Sequence, residues 1–233
     1  MTSEGPGAGA IAPTRDDGIA ADLRGFGPLG MLAIVVVLLG GAAWPPVGAG
    51  VALAWARLSR TPWRELGYVR PKSWVGGLAT GIAFGVAFKL LMKVVVMPLR
   101  GAPAVNQAYH YLAGNPGAIP ATLFAMVVGA GFGEETLYRG YMFERFGKLL
   151  GAGVGAKVST VVVTAVLFGL AHLQGQGLPG AEQGLVTGLV FGTIFALSGR
   201  LWMLMCAHAA FDLTAYGIIY WNLESRVAHL LFS

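Results

Sequence analysis

Seven long apolar runs, separated by short polar breaks, constrain this chain more than any other feature. They lie at Pro28–Trp44, Val47–Trp55, Val75–Met97, Ala118–Gly133, Val158–Ala171, Gly184–Leu197 and Leu201–Tyr220. Several approach the roughly 20 residues that an α-helix needs to cross a bilayer, and no alternating strand pattern competes with them. The expected fold is all-α: a polytopic membrane helical bundle of about seven transmembrane helices, within a range of roughly six to eight. Composition agrees. Hydrophobic residues make up 55% of the chain and charged residues 12%, with a mean hydropathy of +0.66, more apolar than a soluble domain of this length needs. The 36 glycines suit helices whose backbones approach closely.

Residues 1–25 contain early acids and no apolar core. They read as a disordered N-terminal tail and not as a cleavable signal peptide. Residues 26–233 read as a single transmembrane domain without an internal repeat. If Pro45-Pro46 turns a tight hairpin, the connections carry Arg15, Arg24, Arg57, Arg60, Arg64, Arg70, Lys72, Arg145, Lys148, Lys157 and Arg200 on one side, against Arg100 and Arg226 on the other. This bias places the first side, with the N-terminus, in the cytoplasm. The Ala-, Gly- and Val-rich composition points to a bacterial plasma membrane. The basic residues flank helices and form no aromatic-laced face, so the expected partner is the lipid bilayer and not nucleic acid. Cys206 has no second cysteine to pair with. Lys89 and Lys93 share a helix face near the end of a span, where snorkelling to the interface explains them without a functional role.

The stretch GFGEETLYRG, residues 131–140, sets two glutamates and an arginine at the end of an apolar run, where ionisable groups are costly and tend to be functional. On a helix Glu135 and Arg139 are four apart and can pair. Glu134 is rotated by roughly 100° and lacks that partner. Two readings follow. Glu134 is a general base for water, with its basicity raised by an apolar site, or both acids pair with Arg139 and Arg145 at a helix end. Two further segments bear on this choice. FGLAH, residues 168–172, sets His172 at the end of an apolar run, and HAAFD, residues 208–212, sets His208 and Asp212 on one helix face. With the turn at residues 151–155, Glu134 lies 17 residues before Gly151 and His172 lies 17 after Gly155, so an antiparallel pair of helices brings them level.

Glu-Glu-x-x-x-Arg at 134–139, Phe-x-x-x-His at 168–172 and His-x-x-x-Asp at 208–212, in that order on successive apolar helices, resemble the three motifs of the CPBP family (CAAX proteases and bacteriocin-processing enzymes, also called ABI proteins). The resemblance covers about residues 60–220 and implies that 26–233 form a membrane glutamic endopeptidase domain that processes a membrane-associated peptide or protein. Carried over by position, Glu134 and His172 activate water, His208 and Asp212 hold or polarise the scissile carbonyl, and Glu135 and Arg139 buttress the site. Asp212 stands where CAAX enzymes usually carry Asn. An ionised Asp only accepts hydrogen bonds, so it must be protonated to donate to an oxyanion, and otherwise its role is to orient His208. No cofactor is implied. The alternatives are a metallopeptidase with Zn on Glu134, His172 and His208, a non-catalytic scaffold or immunity protein of the same fold, and a transporter.

Overall fold

The computed structural model describes residues 15–231, which are all-α with no strand among the described residues. The helices are α1 (Arg15–Arg24), α2 (Pro28–Ala43), α3 (Pro45–Leu58), α4 (Trp74–Leu99), α5 (Pro116–Leu150), α6 (Val154–Ser198), α7 (Trp202–Tyr220) and α8 (Glu224–Ala228). Their ends follow local chemistry. Prolines open α2 and α3, where the missing N–H costs nothing. The Ser73 hydroxyl accepts from the Gly76 amide at 2.9 Å to cap α4.

Small residues set the packing. A Cβ on Gly48 would lie 2.5 Å from the Gly41 Cα, so α2 and α3 form the tight hairpin at Trp44-Pro45 that the sequence predicts. Cβ atoms on Gly184 and Gly188 would lie 3.1 Å from the Gly169 Cα and 2.7 Å from the Ala165 Cα. One residue number rises while its partner's falls, so α6 is folded back on itself as two antiparallel arms. The fold-back is at Gly177, with φ 67° and ψ −166°, a region open to glycine. Residues 173–184, expected as a polar connection, are therefore helical on both sides of one reversed residue. Cβ atoms on Gly81 and Gly85 would lie 2.6 Å from the Cys206 Cβ and 2.1 Å from the Ala207 carbonyl. Here the numbers rise together, so α4 and α7 run parallel. In cross-section α3 packs on α5, α5 on α7 and α7 on α4.

Among the described residues four helices (α4, α5, α6 and α7) are long and apolar enough to cross a membrane, or five if α1 and α2, bent by 60° at their break, make one span. This criterion does not reach the expected count of about seven. The seven apolar runs are all helical, but α2 and α3 have 16 and 14 residues, about 24 and 21 Å at 1.5 Å per residue, and α6 holds two runs.

The tail expected to be disordered over 1–25 is also revised. Residues 1–14 lie outside the described residues, while Arg15–Arg24 is a docked helix. Asp17 pairs with Arg60, and the Leu23 and Arg24 carbonyls accept from Trp55 Nε1 at 2.9 Å and Arg145 at 2.8 Å. The basic residues of α1 and of residues 57–72 thus gather at one end of the bundle, where Lys148 also meets Glu65 at 3.2 Å. Arg100, Glu182, His110 and Glu224 lie at the other end.

Candidate active site

α5 is pressed between two neighbours at its glycines. A Cβ on Gly131 would lie 2.9 Å from the Met205 carbonyl of α7, and one on Gly133 would lie 2.9 Å from the Pro45 carbonyl carbon. Over Ala125–Met142 the helix takes the wider π winding, with i→i+5 hydrogen bonds, a form that recurs at functional sites. Wider winding puts a smaller angle between neighbours than the 100° expected. Glu134 and Glu135 consequently reach the same imidazole from adjacent positions.

That imidazole is His208 on α7. Its Nδ1 lies 2.7 Å from Glu135 Oε1, and its Nε2 lies 3.6 Å from Glu134 Oε2 and 3.9 Å from Asp212 Oδ2. A carboxylate accepts, so Nδ1 donates and Nε2 faces the other two acids. Glu135 Oε1 also accepts from Arg139 at 2.9 Å, the i,i+4 pair read from the sequence. Arg139 is sandwiched by aromatics, with its guanidinium 4.7 Å from the Phe168 ring centre and 5.4 Å from that of Phe191. Glu135 and Arg139 are 0% and 2% exposed, and neither lines the cavity that Glu134 borders. The second reading of the acids does not hold for Glu134, because Arg145 instead binds Glu144 and the Arg24 carbonyl.

Glu134 faces open space. Its side chain is 17% exposed, and Oε2 has no hydrogen-bond partner. It borders a cavity of about 470 Å³ that His172, His208 and Asp212 also line. α5 and the first arm of α6 are level here, as the residue spacing predicts, with the Tyr138 and Phe168 rings 4.9 Å apart. His172 Nδ1 lies 2.8 Å from the Phe168 carbonyl. A carbonyl only accepts, so Nδ1 carries the proton and a neutral ring keeps its lone pair on Nε2. Gly184 leaves the ring its room, since a Cβ there would lie 3.3 Å from Nδ1.

The cavity also has a wall that sequence reasoning missed. Tyr109 and Asn106 come from the 100–115 connection, Gln176 and Gln183 from either side of the α6 fold-back, and Lys89 from α4. Tyr109 hydrogen-bonds Gln176, and burial pushes its phenol above the ordinary value, with the Asp212 and Glu134 charges acting in the same direction. It therefore stays a donor. The one signal in the sequence was Lys89 itself, a charge inside a span. It does not snorkel: it is buried, with Nζ 2.9 Å from Gln183 Oε1. Lys93 turns inward as well, to Glu224 at 3.4 Å. Glu224 is buried, accepts from the Asn106 amide at 2.8 Å and so anchors the connection that carries Tyr109.

Among the described residues no group of three or more His, Cys, Asp or Glu side chains is arranged to hold a metal ion, the set Glu134, His172 and His208 included.

Residues 116–214 match the family model described as Rce1-like, Type II CAAX prenyl endopeptidase Rce1-like. The matched stretch runs from the start of α5 into α7 and contains Glu134, Glu135, Arg139, His172, His208 and Asp212. No curated protein and no solved structure matches the chain.

Proposed function

We propose that this chain, whose residues 116–214 match the Rce1-like CAAX endopeptidase family model, is an integral membrane endopeptidase. It hydrolyses a peptide bond of a membrane-associated peptide or protein by activating water with Glu134 and His172, without a metal. The observation that carries this reading is the Glu134 side chain, 17% exposed and without an Arg or Lys partner among the described residues, at the wall of a cavity shared with His172. A water between Glu134 and the His172 Nε2 lone pair loses its proton to the carboxylate as it attacks the scissile carbonyl. The proton then passes to the leaving amine. His208, fixed through Nδ1 by Glu135, directs Nε2 to the oxyanion, and as an imidazolium it donates from both nitrogens. Asp212 borders the carbonyl site and balances that charge. Glu135 and Arg139 position His208 without touching substrate.

The basic end of the bundle faces the cytoplasm in this proposal, and the cavity mouth, lined by Tyr109 and Tyr111, opens on the opposite face.

The test is cleavage of lipid-anchored membrane peptides in detergent, with and without a chelator. Glu134→Gln and His172→Ala are each expected to lower kcat by about 10²–10⁴-fold, the usual share of a general base, and the chelator to change nothing. Full cleavage by Glu134→Gln refutes the mechanism, and chelator-sensitive cleavage restores the zinc reading.

A further inference from the structure

The 100–115 connection is held over the cavity by one buried acid. Glu224, at the start of α8, is 1% exposed. Its Oε1 accepts from the Asn106 amide at 2.8 Å and lies 3.4 Å from Lys93 Nζ, and Lys93 donates in turn to the Ala104 carbonyl at 2.5 Å. One carboxylate thus ties α4, the connection and α8 together. Its second oxygen is left over. Oε2 is buried without a hydrogen-bond partner, a costly state for an acceptor. Facing it is the His110 imidazole, whose Nδ1 lies 3.7 Å away, beyond hydrogen-bond reach. The His110 side chain is 47% exposed and so exchanges protons with the medium at the cavity mouth.

The chain is held differently on either side of Glu224. Gly101, with φ 71°, has open space around it, so the connection leaves α4 through a free turn. Beyond His110, Leu112 is buried against Tyr216 and Ile219, and the Gly114 amide donates to the Tyr220 carbonyl at 2.9 Å. Residues 102–109 therefore form a limb whose position depends on Glu224. That limb walls the cavities: Asn106 lines both the 470 Å³ cavity and a neighbouring one of about 170 Å³, and Tyr109 lines the larger.

We propose that Glu224 and His110 form a proton-sensitive clasp on the 100–115 connection, which narrows the cavity mouth as the medium at that face is acidified. A neutral imidazole brings no charge to Oε2. An imidazolium carries a proton on both nitrogens, and its Nδ1 closes on Oε2 through a charge-assisted bond. The closed form binds the extra proton, so low pH favours it, and a histidine makes this change between about pH 8 and about pH 5. The other ionisable groups of the elements packed here leave this pair alone. Lys93 of α4 is on Oε1, Asp212 of α7 faces His208, and Arg100 pairs with Glu182. The rest are Arg226 of α8 and the phenols of α7 and the connection, none of them a carboxylate.

The clasp governs access and not cleavage, so its test needs no substrate and stands apart from the hydrolytic reading. In a Cys206→Ala background, Ala215→Cys places a thiol on the wall common to both cavities. A dithiodipyridine, which reacts in acid as well as neutral solution, reports its accessibility in detergent. The labelling rate is compared between proteins with His110 intact and with His110→Gln, at about pH 5 and about pH 8. At the higher pH the two should agree. At the lower pH His110→Gln should label about 2- to 5-fold faster, the worth of a half-exposed ion pair. Thiol ionisation and the titration of Glu134, His172, His208 and Asp212 are common to both proteins and cancel in the ratio. Glu224→Gln, which keeps an acceptor for the Asn106 amide, should show the His110→Gln rate at both pH values. His229→Gln, which removes an exposed histidine beyond α8, should behave as the intact protein. The exposed position of His110 spares the fold, so the comparison stands even where Glu224→Gln does not fold. A ratio that stays flat or falls in acid, or the same acid effect in His229→Gln, overturns the proposal.

Discussion

The Glu135–Arg139 pair offers a test with a magnitude set by the structure. Glu135→Gln removes one charge from a pair whose members are 0% and 2% exposed, which leaves the guanidinium buried and uncompensated. Breaking such a pair from one side costs about 3–5 kcal/mol. The faces of Phe168 and Phe191 retain part of the stabilisation, since a desolvated cation–π contact contributes about 2 kcal/mol. The expected loss is therefore near the lower limit, about 3 kcal/mol, and at 2–4 °C per kcal/mol for a chain of this size it lowers Tm by about 6–12 °C. Replacing both members, as Glu135→Gln with Arg139→Met, removes the orphaned guanidinium, keeps an amide oxygen to accept from His208 Nδ1, and should restore most of the loss. The assay is thermal unfolding in detergent of wild type, the two single variants and the double variant. A double-mutant cycle should give a coupling of about 3 kcal/mol. A Glu135→Gln protein as stable as wild type, or losses that simply add, would refute the reasoning.

Asp212→Asn should cleave within about threefold of wild type, because Glu135 already orients His208 and an amide adds a donor beside the oxyanion; a much larger loss of kcat would show that the Asp212 charge is needed. Gly85→Val places a Cβ 2.1 Å from the Ala207 carbonyl and should separate α4 from α7 at a cost of about 1–3 kcal/mol or more, visible as a lowered Tm. Tyr68, outside the spans, shares a 2.6 Å hydrogen bond with Thr136, and its burial raises the phenol pKa above 10.0. The folded state keeps this proton where the unfolded chain releases it, so the contribution is fully present below pH 10.0 and is lost as pH rises through the raised value. Tyr68→Phe should flatten the alkaline limb of stability against pH.

The parts of the site that follow a period were legible in the sequence. Glu135 and Arg139 pair because four residues return to one helix face, and Glu134 and His172 line one cavity because equal spacings flank one turn. The contacts between distant segments were not legible. The His208–Glu135 bond joins α7 to α5, and spacing alone pointed His208 toward Asp212, four residues away, which lies 3.9 Å from Nε2. The adjacent glutamates converge because α5 is wound more widely than the 3.6-residue period assumes, and composition gave no sign of this. Lys89 and Lys93 have the sequence signature of snorkelling residues because their partners, Gln183 and Glu224, are 94 and 131 residues away in sequence. The fold-back at Gly177 lies in a polar break between two apolar runs, and a single reversed residue leaves a stretch of Gly, Gln and Pro without any helical signature.

The proposed orientation has a consequence for the side from which a substrate arrives. Arg57, Arg60, Arg64, Arg70, Lys72, Arg145 and Lys148 are all near one end of the bundle, the end that the proposed orientation sets in the cytoplasm. The cavity opens at the other end. Its wall takes Trp44 and Pro45 at the α2–α3 corner, the end of the first α6 arm, the early residues of α5 and the connection that carries Tyr109 and Tyr111. Under the orientation and mechanism proposed above, a substrate bond cut here is presented on the outer face, and a chain end confined to the cytoplasm stays out of reach. With Cys206 replaced by Ala, single cysteines at Tyr111, 66% exposed at the mouth, and at Lys72, exposed before α4, report the orientation. A membrane-impermeant thiol reagent added to intact cells should label Tyr111→Cys at once and Lys72→Cys only after permeabilisation. The opposite pattern would set the basic end outside, against the charge bias, and would return cytoplasmic chain ends to the set of possible substrates.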